Sequence, residues 1–246
     1  MHLLETKGLT KSFGGLTAVD KVNFQVAKGE LRAVIGPNGA GKTTFFNLIA
    51  GRISPTEGEI WFKGENITLI PPYLITKKGI GRSYQITNIF PKLTVFENVR
   101  LAAQAIEVTY NFWKDVMFME DINGRVVEIL EKLKLLDHKN VRAANLPHGL
   151  QRHLEIGIAL ASKPQLLLLD EPTAGMTQEE TERMMELIEE VAKGLTIVLV
   201  EHDMKFVMSI SKKITVLHEG KVLAEGAPEE IRRNEEVQRV YLGKQV

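Results

Sequence analysis

The sequence predicts an α/β fold, a mostly parallel sheet covered on both faces, with a helical subdomain inserted in it. Three observations carry this. Short apolar runs of strand length, Leu31–Ile35, Leu166–Leu169 and Leu195–Val200, recur among amphipathic stretches of helical period. Residues 86–162 lack such runs and take a 3.6-residue period instead. Beyond residue 162 the alternation of strands and helices resumes. The expected organisation is a single domain over 1–246, with a sheet-containing core in 1–85 and 163–246 and the helical subdomain in 86–162.

The elements follow in order. Val22, Phe24 and Val26 alternate with Lys21, Asn23 and Gln25, the period of a half-buried strand, and Lys28-Gly29 turns the chain. Leu31–Ile35 is a strand feeding a Gly-rich loop at Gly36–Gly41. A helix is expected from Lys42 to about Ala50, stopped by Gly51. Ile60–Phe62 reads as a strand, with Lys63-Gly64 as its turn. In the middle, Val99, Leu101 and Ala102 sit at helical spacing. So do Val126, Val127, Ile129, Leu130, Leu133 and Leu136, opposed by Glu128, Glu131, Lys132 and Lys134, with Asn123 as the expected cap. Gln165–Asp170 is the next strand. Thr177-Gln178-Glu179-Glu180 has capping-box spacing and opens a helix to about Lys193. Leu195–Val200, a helix, a strand pair around Glu219-Gly220 and a short helix near Pro228 complete the chain.

Bulk chemistry narrows the function. Lys plus Arg and Asp plus Glu number 31 each among 246 residues, so the net charge is zero and no nucleic-acid partner is expected. The absence of cysteine excludes disulfides, thiolate metal sites and cysteine nucleophiles. The N-terminus has no apolar core of signal-peptide length, and no run approaches the roughly 18 apolar residues of a membrane span. Any membrane role is expected to come through a partner.

Gly36-Pro37-Asn38-Gly39-Ala40-Gly41-Lys42-Thr43 satisfies G-x-x-x-x-G-K-S/T between a strand and a helix, with Thr44 following in the first turn. Glycines let backbone N–H groups curl around phosphate oxygens, and the helix N-terminus adds its positive end. Lys42 brings a point charge to the β- and γ-phosphates, and the Thr43 hydroxyl is suited to Mg²⁺. The bland alternative is a Gly-rich surface turn before an ordinary helix. The strand Leu166–Leu169 ends in Asp170-Glu171. In this architecture such a strand end lies beside the phosphate loop, so Asp170 is a candidate for Mg²⁺ and Glu171 for polarising the attacking water.

The order of motifs resembles that of ABC ATPases over essentially the whole chain. Leu146-Pro147-His148-Gly149-Leu150-Gln151-Arg152 is similar to the ABC signature L-S-G-G-Q-Q-R. Phe13 resembles the aromatic that stacks on adenine, Gln85 the Q-loop glutamine that meets Mg²⁺ and water, and His202 the switch histidine. Ala174-Gly175-Met176-Thr177 stands in the place of the D-loop. The resemblance implies a P-loop NTPase of ABC type with an N-terminal antiparallel β subdomain, using ATP and Mg²⁺. It assigns catalysis to Glu171, His202 and Gln85, the metal to Thr43, Gln85 and Asp170, and Gly149 to ATP bound by a partner chain. Two departures stand out. Pro147 and His148 replace the signature's serine and first glycine, Leu150 its glutamine, and the D-loop lacks its aspartate. Pro147 has neither hydroxyl nor N–H to offer a phosphate, so the signature lent to a partner is expected to be weaker.

A closer resemblance lies in the phrases His148–Ile156, Glu171–Met176 and Glu201–Met208, and in the ending with Tyr241-Leu242-Gly243. These are similar to ATPases of importers for branched-chain amino acids and related solutes such as urea or amides. That group implies a second ATPase subunit, a paralogue or a copy of the same chain. It also implies polytopic permease subunits, an external solute-binding protein and a place at the cytoplasmic face of the cell membrane. The apolar stretch 86–96 is a candidate wall of the groove receiving a permease helix; the alternative is that it packs the helical subdomain. The rival readings are a non-transport ABC ATPase in DNA repair or translation, a nucleotide-binding regulatory module, and a small-molecule kinase.

Overall fold

The computed structural model describes residues 2–83, 89–107 and 115–242. Two sheets form. The smaller is antiparallel, in the order β2-β1-β4-β5, from strands β1 (His2–Phe13), β2 (Leu16–Ala27), β4 (Glu57–Phe62) and β5 (Glu65–Asn66). The larger comprises β3 (Leu31–Ile35), β6 (Ile80–Arg82), β7 (Leu166–Asp170), β8 (Thr196–Val200), β9 (Lys213–His218) and β10 (Lys221–Gly226), in the order β10-β9-β3-β8-β7-β6. Every pairing in it is parallel except the terminal β9–β10 hairpin.

The central strands read as continuous apolar runs because both faces are covered. Leu167 and Leu169 enter one core together with Ala33, Ile35, Ile197 and Leu199. Leu166 and Leu168 enter the other with Val34, Val198 and Val200. The second core is closed by the antiparallel sheet, through Leu4, Val22, Phe24 and Phe62, and by helix α1 (Lys42–Ile49). Helix α2 (Pro72–Lys78) leads into β6.

The helical subdomain consists of α3 (Val95–Glu107), α4 (Asp115–Lys132) and α5 (His148–Ala161), which pack on one another and join the first core. Gly157 permits the close meeting of α4 and α5; a Cβ there would lie 2.6 Å from Leu133 Cδ1. Asn123 does not cap α4 but lies inside it, because the apolar spacing Ile122, Val126, Leu130 runs through that position. Helix α6 (Gln178–Ala192) begins where its capping box predicts, with Thr177 Oγ1 accepting from the Glu180 N–H and Glu180 accepting from the Thr177 N–H. Helices α7 (Met204–Ile210), α8 (Pro228–Arg233) and α9 (Glu235–Leu242) complete the fold.

The stretch 86–96 divides where it is described. Val95 is fully buried, Ile89 and Phe96 pack against the core, and Phe90 is exposed. A separate groove, about 230 Å³, is walled by α2, β6, α3 and α5 through residues such as Ile75, Ile80, Ala102, Ile106 and Ile158. Positions 86–88 lie outside the described residues.

Candidate functional site

The parallel strands β3, β8 and β7 are neighbours, so the segments leaving their C-terminal ends share one edge of the sheet. These segments are the glycine loop after β3, Glu201-His202 after β8 and Asp170-Glu171 at the end of β7.

The loop is held from below and open above. Gly36 and Ala40 are buried while Asn38 and Gly39 face solvent. Gly36 packs so closely on β9 that a Cβ would come within 2.2 Å of the Leu217 carbonyl oxygen. Gly41 has φ 96° and precedes α1, where a Cβ would meet the Ala18 carbonyl oxygen at 2.2 Å. These contacts, not flexibility alone, reserve both positions for glycine. Lys42 is mostly buried, and Nζ donates to the carbonyl oxygens of Gly36 at 2.7 Å and Pro37 at 3.0 Å. Burial lowers its pKa, and the carboxylates of Glu171 and Asp170 partly offset this, which sets all three charges in one electrostatic neighbourhood. Thr43 and Thr44 occupy the first turn of α1, Thr43 exposed.

Asp170 is 2% exposed in its side chain, and its two carboxylate oxygens differ. Oδ2 accepts from Arg82 Nη2 at 3.0 Å, while Oδ1 is sealed from solvent without a hydrogen-bond partner. Burial raises the Asp170 pKa, and Arg82 is the chief group opposing that rise. Glu171 follows in the left-handed region, φ 49°, its N–H donating to Val200 O at 2.9 Å. A non-glycine residue held there is strained, and such strain gathers at functional sites.

His202 sits beyond β8 with its side chain 65% exposed and Nδ1 3.6 Å from Glu201 Oε2. Glu201 is completely buried and accepts from the Thr173 backbone N–H, the Thr173 hydroxyl and the His202 N–H. It thereby ties the His202 segment to the turn that follows Glu171. Phe13 ends β1 half exposed, with Lys11 Nζ 5.1 Å from its ring centroid. Gln85 lies outside the described residues.

Gly149 is in the first turn of α5. Pro147 is the N-cap of that helix and supplies no capping side chain. The Glu180 carboxylate, from the head of α6, lies against Gly149, where a Cβ would come 2.8 Å from Oε1. Reading the sequence missed Arg82 and Glu201. A basic residue in a buried apolar strand was the available signal for Arg82. Among the described residues no helix is long and apolar enough to cross a membrane.

Comparison with known proteins agrees with this geometry. The family described as ABC transporter matches residues 19–174, and the chain belongs to it as an ATP-binding cassette. A second family, described as branched-chain amino acid ATP-binding cassette transporter, matches residues 221–246. The chain is 40% identical over 98% of its length and 98% of the relative's to LivG of Escherichia coli (strain K12), a high-affinity branched-chain amino acid transport ATP-binding protein. It is 41% identical, with the same coverage, to the corresponding BraF of Pseudomonas aeruginosa. A solved ATP-binding cassette of an ABC transporter in its ADP conformation matches with a TM-score of 0.87 at 30% identity, over 99% of each chain. The ABC fold expected from the sequence is thus borne out.

Proposed function

We propose that this chain is the ATP-binding and ATP-hydrolysing subunit of an importer for branched-chain amino acids or related small polar solutes such as urea or amides. The observation that carries the ATPase reading is the convergence of the Lys42 loop, Asp170-Glu171 and His202 on one sheet edge. The likeness to LivG and BraF over nearly the whole chain carries the class of cargo.

In this reading Phe13 stacks on adenine, and the N–H groups from Gly36 to Thr44 receive the phosphates. Lys42 leaves the carbonyls of Gly36 and Pro37 for the β- and γ-phosphate oxygens. Thr43, Asp170 and Gln85 are the residues to hold Mg²⁺, which when bound neutralises charge on the phosphate oxygens. The sealed, unpartnered Oδ1 of Asp170 fits such an ion or its water. Glu171 accepts the proton of the attacking water, and exposed His202 is free to reach the γ-phosphate.

Gly149 belongs to a different surface and offers its N–H to ATP on a second ATPase subunit, a paralogue or another copy. ATP then joins two chains and hydrolysis releases them, a two-state element biased by the γ-phosphate. The groove between α2, β6, α3 and α5 suits an apolar helix of a permease, which would keep the chain at the cytoplasmic face of the membrane and couple it to a solute-binding protein. The test is reconstitution of the chain with the membrane protein that co-purifies with it. ATP-dependent uptake of leucine, or of urea, supports the reading. Absence of Mg·ATP binding by the folded chain would refute it.

A further inference from the structure

Arg82 ends strand β6, three residues before Gln85, with its side chain 6% exposed. It reaches two elements at once. Nη2 donates to Oδ2 of Asp170 at 3.0 Å, and Nη1 donates to Oδ1 of Asn47 at 2.8 Å. Its guanidinium carbon lies 5.8 Å from the centroid of the Phe46 ring. Asn47 and Phe46 belong to α1, the helix that the phosphate loop opens. The guanidinium therefore joins β6, β7 and α1. A planar fork with fixed donors can bridge two acceptors in this way; an ammonium on a flexible stem cannot hold both at set angles.

The consequence falls on Asp170. With Oδ2 held by Arg82, Oδ1 is the oxygen left buried and unpartnered. We propose that Arg82 is a positioning residue for the magnesium site, locking the Asp170 carboxylate so that Oδ1 is presented to the ion or its water shell. The proposal rests on the reading of Asp170 as the metal carboxylate. Hydrogen-bond partners of metal-binding side chains commonly govern metal affinity about 10- to 100-fold. A bridge serving only to hold the fold together would alter stability and leave metal affinity in the folded protein unchanged.

The test uses Mn²⁺ as the probe. Its binding to the chain with a saturating non-hydrolysable ATP analogue is followed by loss of the free-ion electron paramagnetic resonance signal. Nucleotide affinity in excess chelator is measured alongside. Arg82→Met is expected to weaken Mn²⁺ binding about tenfold or more, with metal-free nucleotide affinity held within about twofold. Arg82→Lys and Asn47→Ala, which each loosen one part of the bridge, are expected to weaken it less. Mn²⁺ affinity of Arg82→Met within about twofold of the parent, or tighter than the parent, overturns the proposal. If Arg82→Met does not fold, parental Mn²⁺ affinity in both milder variants overturns it. Asp170→Asn separates the two claims. If it keeps parental Mn²⁺ affinity, the reading of Asp170 itself fails; if it loses Mn²⁺ while Arg82→Met does not, the positioning role alone fails.

Discussion

The ammonium of Lys42 donates to the carbonyl oxygen of Gly36, 2.7 Å away, and so faces back into its own loop. Burial depresses its pKa, yet the neighbouring carboxylates of Glu171 and Asp170 favour the charged form. Lys42→Met removes a donor that phosphate would otherwise claim. A hydrogen bond to a charged group contributes about 1.5–3 kcal/mol, so ATP affinity by calorimetry is expected to fall at least about tenfold.

Glu171→Gln keeps the left-handed turn and side-chain volume but removes the carboxylate proposed as the base. Turnover is expected to fall by about 100-fold or more with ATP binding retained. Light scattering in Mg·ATP should then report a longer-lived closed dimer. Hydrolysis at the parental rate would remove Glu171 from the mechanism.

Thr173→Val deletes one of the donors to fully buried Glu201. Removing a hydrogen bond to a buried charge is expected to lower stability by about 1.5–3 kcal/mol, read from the urea midpoint. ATPase should fall as well, because the same carboxylate holds the His202 backbone.

His153 is buried, with Nδ1 3.2 Å from the Leu133 carbonyl oxygen, and burial lowers its pKa from 6.5. The native state therefore prefers neutral imidazole, and the unfolded state takes up a proton first as pH falls. Stability is present above about pH 6.5 and is lost as pH drops from there through the lower folded-state pKa. Melting temperatures at pH 7.5 and 5.5 should differ less in His153→Gln than in the parent.

Pro147→Ser restores a hydroxyl at the head of α5, where no side chain of the N-cap residue now serves. Capping alone is expected to add about 1 kcal/mol of stability. In the assembled complex the new hydroxyl should also raise ATPase, because it supplies to the partner-bound phosphate the donor that Pro147 lacks. Unchanged ATPase would show that the backbone N–H of Gly149 suffices.

Much of this molecule was legible from short windows. The phosphate loop needs only glycines, a lysine and a helix start within eight positions, and its strand and helix lie on either side. The apolar run Leu166–Leu169 revealed a strand buried on both faces because alternate residues feed two cores. The same reasoning misplaced Asn123, since a good capping residue tells nothing when apolar spacing continues on both sides of it. The apolar stretch 86–96 offered two readings, a groove wall or subdomain packing, and its described part holds both a core residue, Val95, and an exposed one, Phe90.

The sequence by itself determined the local frame of the candidate site: which loop curls, which strand ends in the acid pair, and which helix Thr177 and Glu180 begin. Only the tertiary structure decided what each buried charge meets. Arg82 finds Asp170 across 88 residues and Glu201 finds Thr173 across 28. The physical reason is range. Turns, caps and periodicity are set by backbone sterics within a few residues, but the partner of a desolvated charge depends on strand order, here β8-β7-β6, which no local pattern encodes.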